Sequence, residues 1–295
     1  MSDLGFPLDD ARLVVERALD EDLGTSGTGG RDVTTLATIP EAQRSVAHVV
    51  ARAHGVLAGG PVVALVVSAV SRRLGTGAVD VEVHVADGAR ITRGHHLATL
   101  RGSTRTTLVA ERTVLNVLSR TSGIATHTRR WADALEGTGA TVLDTRKTTP
   151  GMRALEKYAV RCGGGTNKRM GLYDVAMIKD NHKLAAGGLT QAYEAVRRAY
   201  PDVDVQVEVT TTEEALESVA VGARFLLCDN MTPALLRRTV EAVRATGEHV
   251  ELEATGGLTL EVVREYAETG VDFLSVGGLT HSSPIVDIAL DLDDA

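Results

Sequence analysis

All five lysines of the chain lie between residues 147 and 183, although its 26 arginines are spread along almost the whole length. The same region reads DTRKTTPGMR and then RCGGGTNKRMGLYDVAMIKDNH, with three consecutive glycines. Its cations include Arg146, Lys147, Lys168, Arg169 and Lys179. An ammonium group is a compact charge for phosphate or carboxylate that the planar guanidinium does not reproduce. The pattern therefore predicts a binding site for a small polyanion.

The bulk composition limits the function classes. At 295 residues and 43% hydrophobic content, the chain can bury a large core. A net charge of −8 argues against nucleic-acid binding, which needs a basic face. With only Cys162 and Cys228, no disulfide framework is predicted. The longest apolar run, near residues 62–70, is too short to span a membrane, so we expect a soluble cytoplasmic protein.

The pattern of predicted strands and helices that must position these cations changes along the chain. From Val46 to Gly102, short β-like runs bounded by glycines are interrupted by one apolar helical pattern near residues 61–70, which indicates a small α+β unit. From Thr113 onward, strand patterns and helix patterns alternate, which is typical of a parallel β/α barrel. The candidate strands are ATVLD, DVAMIK, VDVQVEV, ARFLLCD, HVELEA and DFLSVGG.

Polar residues follow these strands where a barrel carries its active-site face. Glu208 and Asp229 end successive strands, so their carboxylates should meet one ligand or one Mg²⁺, unless they only neutralise the nearby lysines. The segments ATGGL and SVGGL end the last two strands, and each should start a helix. Glycine-rich turns there predict phosphate binding by backbone N–H groups.

Three further residues allow more than one interpretation. Glu253 lies inside an apolar strand, so we expect a paired carboxylate with a structural role. His182 is either a base or a structural hydrogen-bonding residue. Arg112 follows Glu111 in a helical pattern, and the residues alone favour a surface ion pair.

The ordered motifs of the whole chain resemble the quinolinate phosphoribosyltransferase family. They are EDLG, DVTT, AERTVLNVLSRTSGIAT, DTRKTTPG, RCGGGTNKRMGLYD, IKDNH, LLCDNM, LEATGGL and SVGGLTHS. The resemblance implies an α/β fold with an N-terminal α/β sandwich domain, residues 1–112, and an incomplete, seven-stranded β/α barrel, residues 113–282. The tail, residues 283–295, would pack back on the first domain.

The implied reaction transfers phosphoribosyl from phosphoribosyl pyrophosphate to quinolinate, with loss of CO₂, and yields nicotinate mononucleotide. By the resemblance, Lys147, Glu208 and Asp229 are catalytic, and Glu208 and Asp229 also hold Mg²⁺. The quinolinate-binding residues would be Arg112, Thr145, Arg146, Lys168, Arg169 and Lys179. The phosphate-binding residues would be Thr255, Gly256, Gly257, Val276, Gly277 and Gly278.

In this family Arg112 is donated by the neighbouring subunit, so the resemblance reverses the ion-pair interpretation and implies a homodimer or a larger assembly. Lys168 stands where the family usually has His, Gln206 where an acidic residue is common, and Gly278 where Ala is usual. Lysine keeps the cation, which predicts quinolinate binding with less pH dependence. Two alternatives stay open: the same fold acting on another pyridine carboxylate, and a non-catalytic phosphate-binding scaffold.

Overall fold

The computed structural model describes residues 4–24 and 30–293. The chain divides into two compact units. The first comprises Met1–Arg129, Thr148–Gly164 and Thr280–Ala295, and the second comprises Arg130–Lys147 and Gly165–Leu279. No helix among the described residues is long and apolar enough to cross a membrane.

The elements up to residue 134 belong mostly to the first unit. In chain order they are α1 (Leu8–Leu23), α2 (Val33–Thr38), β1 (Arg44–Ala51), β2 (Gly55–Val56), α3 (Val62–Leu74), β3 (Val79–Val83), β4 (Arg90–Ile91), β5 (His96–Ser103) and α4 (Thr104–Ala134).

The remaining elements alternate between strands and helices. They are β6 (Thr141–Leu143), α5 (Arg153–Cys162), β7 (Val175–Ile178), α6 (Asp180–Ala186), α7 (Leu189–Ala199), β8 (Asp204–Val209), α8 (Thr212–Ala220), β9 (Phe225–Asp229), α9 (Pro233–Ala245), β10 (Glu251–Thr255), α10 (Val263–Ala267), β11 (Phe273–Ser275), α11 (Gly278–His281) and β12 (Ile288–Leu292).

The first unit is built on an antiparallel sheet in the order β12-β1-β5-β3, with a separate β2-β4 pair. Its core combines the inner faces of β1 and β5 with apolar side chains from α1, α3 and α4. The C-terminal segment reaches this unit because Gly123 of α4 has no side chain. A Cβ atom there would lie 2.2 Å from the carbonyl oxygen of Pro284.

The second unit is a six-stranded parallel sheet in the order β6-β11-β10-β9-β8-β7, and its outer helices bury their apolar faces. Helix starts follow local sequence signals: the hydroxyl oxygens of Thr211 and Thr232 accept amide hydrogen bonds at the starts of α8 and α9. All six candidate strands of the sequence are present in this sheet.

Two features differ from the expectations. The sheet has six strands where the resemblance implies seven, although the barrel is open, as expected for an incomplete barrel. On the side of β6 away from β11, the described residues show a single parallel bridge, between Leu143 and Thr166. The domain boundary expected at residue 112 falls inside α4, because Val114 and Leu118 pack in the core of the first unit. The expected tail, residues 283–295, is described as far as residue 293, and its strand β12 pairs with β1.

Candidate active site

Apart from Arg112, the expected site residues all lie in the second unit. Most lie at or just after the carboxyl ends of β6 to β11, whereas Lys168 and Arg169 lie in the segment between β6 and β7. In a parallel sheet all carboxyl ends meet at one edge, so residues far apart in the sequence come together there. That edge collects cations from one part of the chain and carboxylates from another.

Asp144 anchors the segment that carries two of the cations. Its fully buried carboxylate accepts a hydrogen bond from Nδ2 of Asn167 at 2.7 Å and from the backbone N–H of Lys168 at 2.8 Å. On the next residue, the hydroxyl oxygen of Thr145 accepts the N–H of Lys147 at 3.0 Å. The end of β6 thereby fixes both the turn before Lys147 and the start of the Lys168 segment.

The guanidinium groups of Arg146 and Arg169 lie close enough to interact. Burial lowers the pKa of Arg169, and the charge of Arg146 lowers it further. Arg169 is held by a hydrogen bond from Nη1 to the carbonyl oxygen of Val175, at 3.0 Å. Two neighbouring like charges are unfavourable without an anion, so this position is suited to a ligand carboxylate or phosphate.

Lys168 forms a buried ion pair with Glu253. Its Nζ lies 2.7 and 2.6 Å from the two carboxylate oxygens, and the side chains are 7% and 0% exposed. Burial lowers the pKa of Lys168 and raises the pKa of Glu253, whereas their mutual attraction opposes both shifts. Glu253 is thus paired, as its place in an apolar strand predicted.

The second lysine–carboxylate pair is more open. Nζ of Lys179 donates to Oε2 of Glu208, with side chains that are 47% and 11% exposed. Asp229 ends the next strand, and its pKa is raised by burial and by the charge of Glu208. Glu208 and Asp229 are therefore close enough to repel each other, which a shared cation would relieve.

The two glycine-rich segments differ in geometry. Gly256 and Gly257 both have positive φ, +96° and +60°, and the chain continues for five further residues before α10 begins. Gly278 has no such φ and is the first residue of the short helix α11. The expectation that each segment starts a helix is therefore wrong for the first one, since residues 258–262 form a loop and a turn there.

The remaining lysines and His182 have structural contacts. Nδ1 of His182 accepts the backbone N–H of Lys179 at 3.0 Å. Nζ of Lys183 donates to Oε1 of Glu214 at 2.8 Å and to the carbonyl oxygen of Glu208 at 3.1 Å, and it pairs with Asp180 at 2.8 Å. Lys157 in α5 and Lys183 in α6 are both buried.

Arg112 lies on α4 in the first unit. Its Nη2 lies 3.9 Å from Oε1 of Glu111, and its side chain is 65% exposed. Such an exposed, distant pair contributes little to stability. The contact expected from the residues alone is present, and it leaves the guanidinium accessible to solvent.

Sequence reasoning assigned no role to three residues that organise the site: Asp144, Lys183 and Glu214. Asp144 was visible only as part of a strand-end motif. Lys183 and Glu214 are 31 residues apart, on different helices, and no local pattern links them. Their importance depends on burial, which charge patterning along the chain does not specify.

This arrangement defines a class: an α/β protein with an open parallel barrel whose carboxyl edge carries clustered cations and carboxylates, a site suited to a polyanionic ligand. Comparison with family models divides the chain near residue 123, inside α4. The model described as "Quinolinate phosphoribosyl transferase, N-terminal domain" matches residues 32–122, and the model for the C-terminal domain matches residues 124–291. The chain belongs to the quinolinate phosphoribosyl transferase family.

Similar proteins include the carboxylating nicotinate-nucleotide pyrophosphorylase of Mycobacterium leprae, 45% identical over 99% of this chain and 100% of that protein. A probable carboxylating nicotinate-nucleotide pyrophosphorylase of Bacillus subtilis is 39% identical over 92% of this chain and 90% of its own length. Among solved structures, the nicotinate-nucleotide pyrophosphorylase of Francisella tularensis has a TM-score of 0.87 and 32% identity, with 97% of both chains covered.

Proposed function

We propose that this protein transfers the phosphoribosyl group of phosphoribosyl pyrophosphate to the ring nitrogen of quinolinate. Loss of CO₂ then gives nicotinate mononucleotide, with pyrophosphate as the other product, a reaction of de novo NAD biosynthesis. Full-length similarity to proteins named for this activity supports the proposal. The observation that carries it is the convergence of Arg146, Arg169 and Lys179 with Glu208 and Asp229 at one sheet edge.

Quinolinate is a dianion, and we assign its carboxylates to Arg146, Arg169 and Lys179, with Thr145 beside them. The proximity of Arg146 and Arg169 supports this assignment, since each guanidinium can make two parallel hydrogen bonds to a carboxylate. Lys179 is half exposed and can exchange Glu208 for a ligand carboxylate. The family pattern also places Lys168 here, although its Nζ already contacts Glu253.

Glu208 and Asp229 are assigned to the ribose hydroxyls and to Mg²⁺. Among residues 4–24 and 30–293, no group of three or more His, Cys, Asp or Glu side chains is placed to hold a metal ion. Mg²⁺ commonly uses one or two protein carboxylates together with water and substrate phosphates. The electrostatic conflict between Glu208 and Asp229 fits such a shared ion, which would neutralise charge on the departing pyrophosphate.

The phosphate of the ribose is assigned to the two glycine-rich segments, Thr255, Gly256 and Gly257 with Val276, Gly277 and Gly278. Consecutive positive φ angles at Gly256 and Gly257 support this role, because they allow successive N–H groups to converge on an anion. The absence of a side chain keeps the backbone accessible. Lys147, exposed after the turn at Thr145, is assigned to the pyrophosphate side.

The chemistry follows from these positions. As the bond from ribose to pyrophosphate breaks, positive charge develops on the sugar, and the carboxylates of Glu208 and Asp229 stabilise it. Lys147 favours the departing anion. After the ring nitrogen is ribosylated, the positive pyridinium stabilises the carbanion left on the adjacent ring carbon when its carboxylate departs as CO₂, and a proton from solvent then replaces the carboxylate. By binding the carboxylates, Arg146 and Arg169 would orient the ring nitrogen toward the ribose.

We further propose a homodimer, or a larger assembly of such dimers, in which Arg112 completes the site of the neighbouring subunit. The exposed guanidinium of Arg112 and its distant contact with Glu111 support this proposal, since they leave its charge available. A cytoplasmic location is part of the proposal and is supported by Cys162 and Cys228, which are both free thiols.

The test is incubation with phosphoribosyl pyrophosphate, Mg²⁺ and either quinolinate or nicotinate, followed by detection of nicotinate mononucleotide and CO₂. We expect product from quinolinate alone, with one CO₂ released per nucleotide. An Asp229→Asn variant serves as the inactive control. Product from nicotinate alone would identify another pyridine carboxylate as the substrate, and binding without turnover would indicate a phosphate-binding scaffold.

A further inference from the structure

Two lysine–carboxylate pairs lie at the same level of the parallel sheet, on either side of β9. Glu208 is in register with Leu227 of β9, and Leu227 is in register with Glu253. Adjacent strands are about 4.8 Å apart, so the two carboxylates start from backbone positions separated by roughly 10 Å. Each has its own ammonium partner, Lys179 for Glu208 and Lys168 for Glu253.

The pairs differ in their access to solvent. The Lys179 side chain is half exposed, so its ammonium can leave Glu208 and bind an incoming anion while water solvates the Glu208 carboxylate. Glu253 has no exposed surface, and its lysine has almost none. If Lys168 moved to a ligand, the buried Glu253 carboxylate would lose its ion-pair partner and keep a hydrogen bond from Ser275 and the weaker attraction of Lys179, which is unfavourable.

Lys168 is also fixed at both ends. Its backbone N–H donates to the buried carboxylate of Asp144 at 2.8 Å, and its ammonium contacts both oxygens of Glu253. Neighbouring Arg169 and Lys179 repel it, so Glu253 supplies the negative charge that allows three cations to gather here. Restraint from Asp144 and Glu253 also fixes the backbone from which Arg169 projects.

We propose that Lys168 does not bind the substrate carboxylate and is instead a positioning residue, neutralised by Glu253, that holds Arg169 in place. Arg146, Arg169 and Lys179 then carry the substrate anion. This inference rests on the proposed function, because it concerns how that substrate is recognised. It separates this chain from a site in which position 168 is itself a ligand.

The variants Lys168→Met and Glu253→Gln, alone and combined, test the proposal, with Lys179→Met for comparison. We expect both single variants to lose thermal stability, because each leaves a buried polar group without its partner. The double variant removes both charges. It should regain stability and raise the KM for quinolinate by only about two- to threefold, because Arg169 is held less firmly but keeps its hydrogen bond to the carbonyl oxygen of Val175. Lys179→Met should raise that KM at least about tenfold, as expected for a lost charge-assisted hydrogen bond.

A measurement on the wild-type protein covers the case in which the double variant does not fold. Since the chain has only five lysines, isotope labelling of lysine gives five side-chain NMR signals, assignable by elimination with variants at the other four positions. Titration with quinolinate should shift the Lys179 signal and leave that of Lys168 unchanged.

A shift of the Lys168 signal as large as that of Lys179 would overturn the inference, as would a tenfold increase in quinolinate KM for a folded double variant. In either case continued formation of nicotinate mononucleotide would leave the proposed function standing. If no lysine signal responds and no product forms, the proposed function and the inference fall together.

Discussion

Replacing Gly256 by alanine is expected to damage both stability and phosphoribosyl pyrophosphate binding. The residue has φ +96°, outside the region that a residue with a side chain readily adopts. An added Cβ would lie 2.2 Å from Oδ1 and 2.7 Å from Cγ of Asn230, so the asparagine would have to move. Nδ2 of Asn230 donates to Oδ2 of Asp229 at 2.8 Å, so a displaced Asn230 would also disturb the Asp229 carboxylate.

The size of the effect follows from two contributions. The backbone strain costs about 1–3 kcal/mol, and displacement of packed atoms costs about 1–3 kcal/mol more. Gly257→Ala is the matched control, because Gly257 has φ +60° and nothing within 4 Å of an added Cβ. Only the left-handed backbone conformation is then penalised, by about 1–2 kcal/mol. Gly278→Ala, with an ordinary φ and a nearest atom at 3.9 Å, should be tolerated.

Urea unfolding of the three variants measures the free energy of unfolding, and initial rates measure kcat/KM for phosphoribosyl pyrophosphate. We expect Gly256→Ala to lose more stability than Gly257→Ala and to lower kcat/KM by about 10- to 100-fold, as a displaced catalytic group would. Equal stability losses for Gly256→Ala and Gly257→Ala would refute the steric reasoning. Unchanged kinetics in a folded Gly256→Ala variant would refute the phosphate assignment of that segment.

Three other predictions concern charged groups. Lys183→Met should lower the free energy of unfolding by about 2 kcal/mol, because it removes a buried ammonium with three acceptors. In urea unfolding, the double variant Lys183→Met with Glu214→Leu should lose less free energy of unfolding than Lys183→Met alone. An equal or larger loss in the double variant would contradict the pairing of Lys183 with Glu214. The pKa of Glu214 is lowered, since hydrogen bonds from Lys183 and Thr210 outweigh the opposing effect of burial. The contribution of Glu214 to the free energy of unfolding is therefore present above its unfolded pKa near 4.5 and is lost as the pH falls through its lower folded pKa. The stability difference between wild type and Glu214→Gln should shrink over that pH range. The Arg112→Ala and Asp229→Asn proteins, each inactive alone, should recover roughly a quarter of wild-type activity when they are mixed and exchange subunits. Half of the dimers would then contain one subunit of each variant, and each mixed dimer would have one complete site of its two. No recovery would count against donation of Arg112 across a dimer interface.

The strands of the second unit could be predicted from the sequence because their signals are local. Each candidate segment is apolar and bounded by turn residues, and each forms a strand of the sheet. Their polar ends were recognisable for the same reason. The single parallel bridge at Thr166 could not be predicted, since one bridge leaves no periodic pattern.

The site was predicted as a collection of residue types, and its pairings were not. Glu253 was expected to be paired, but its partner lies 85 residues earlier in the chain. The three lysines expected in the site differ in environment: Lys168 is buried, Lys179 is half exposed and Lys147 is exposed. The motif alone does not distinguish them.

The sequence by itself determined the parallel α/β unit of the protein and its family, and it predicted a polyanion-binding site, because these depend on residue types and spacing along the chain. The tertiary structure decided which charges are available to a ligand. Strand register brings Glu208 and Glu253 to the same level of the sheet. The half-exposed ammonium of Lys179 can exchange its carboxylate partner for a ligand, whereas the buried ammonium of Lys168 cannot. The strength of an ion pair depends on its solvent exposure, a property of the packed fold.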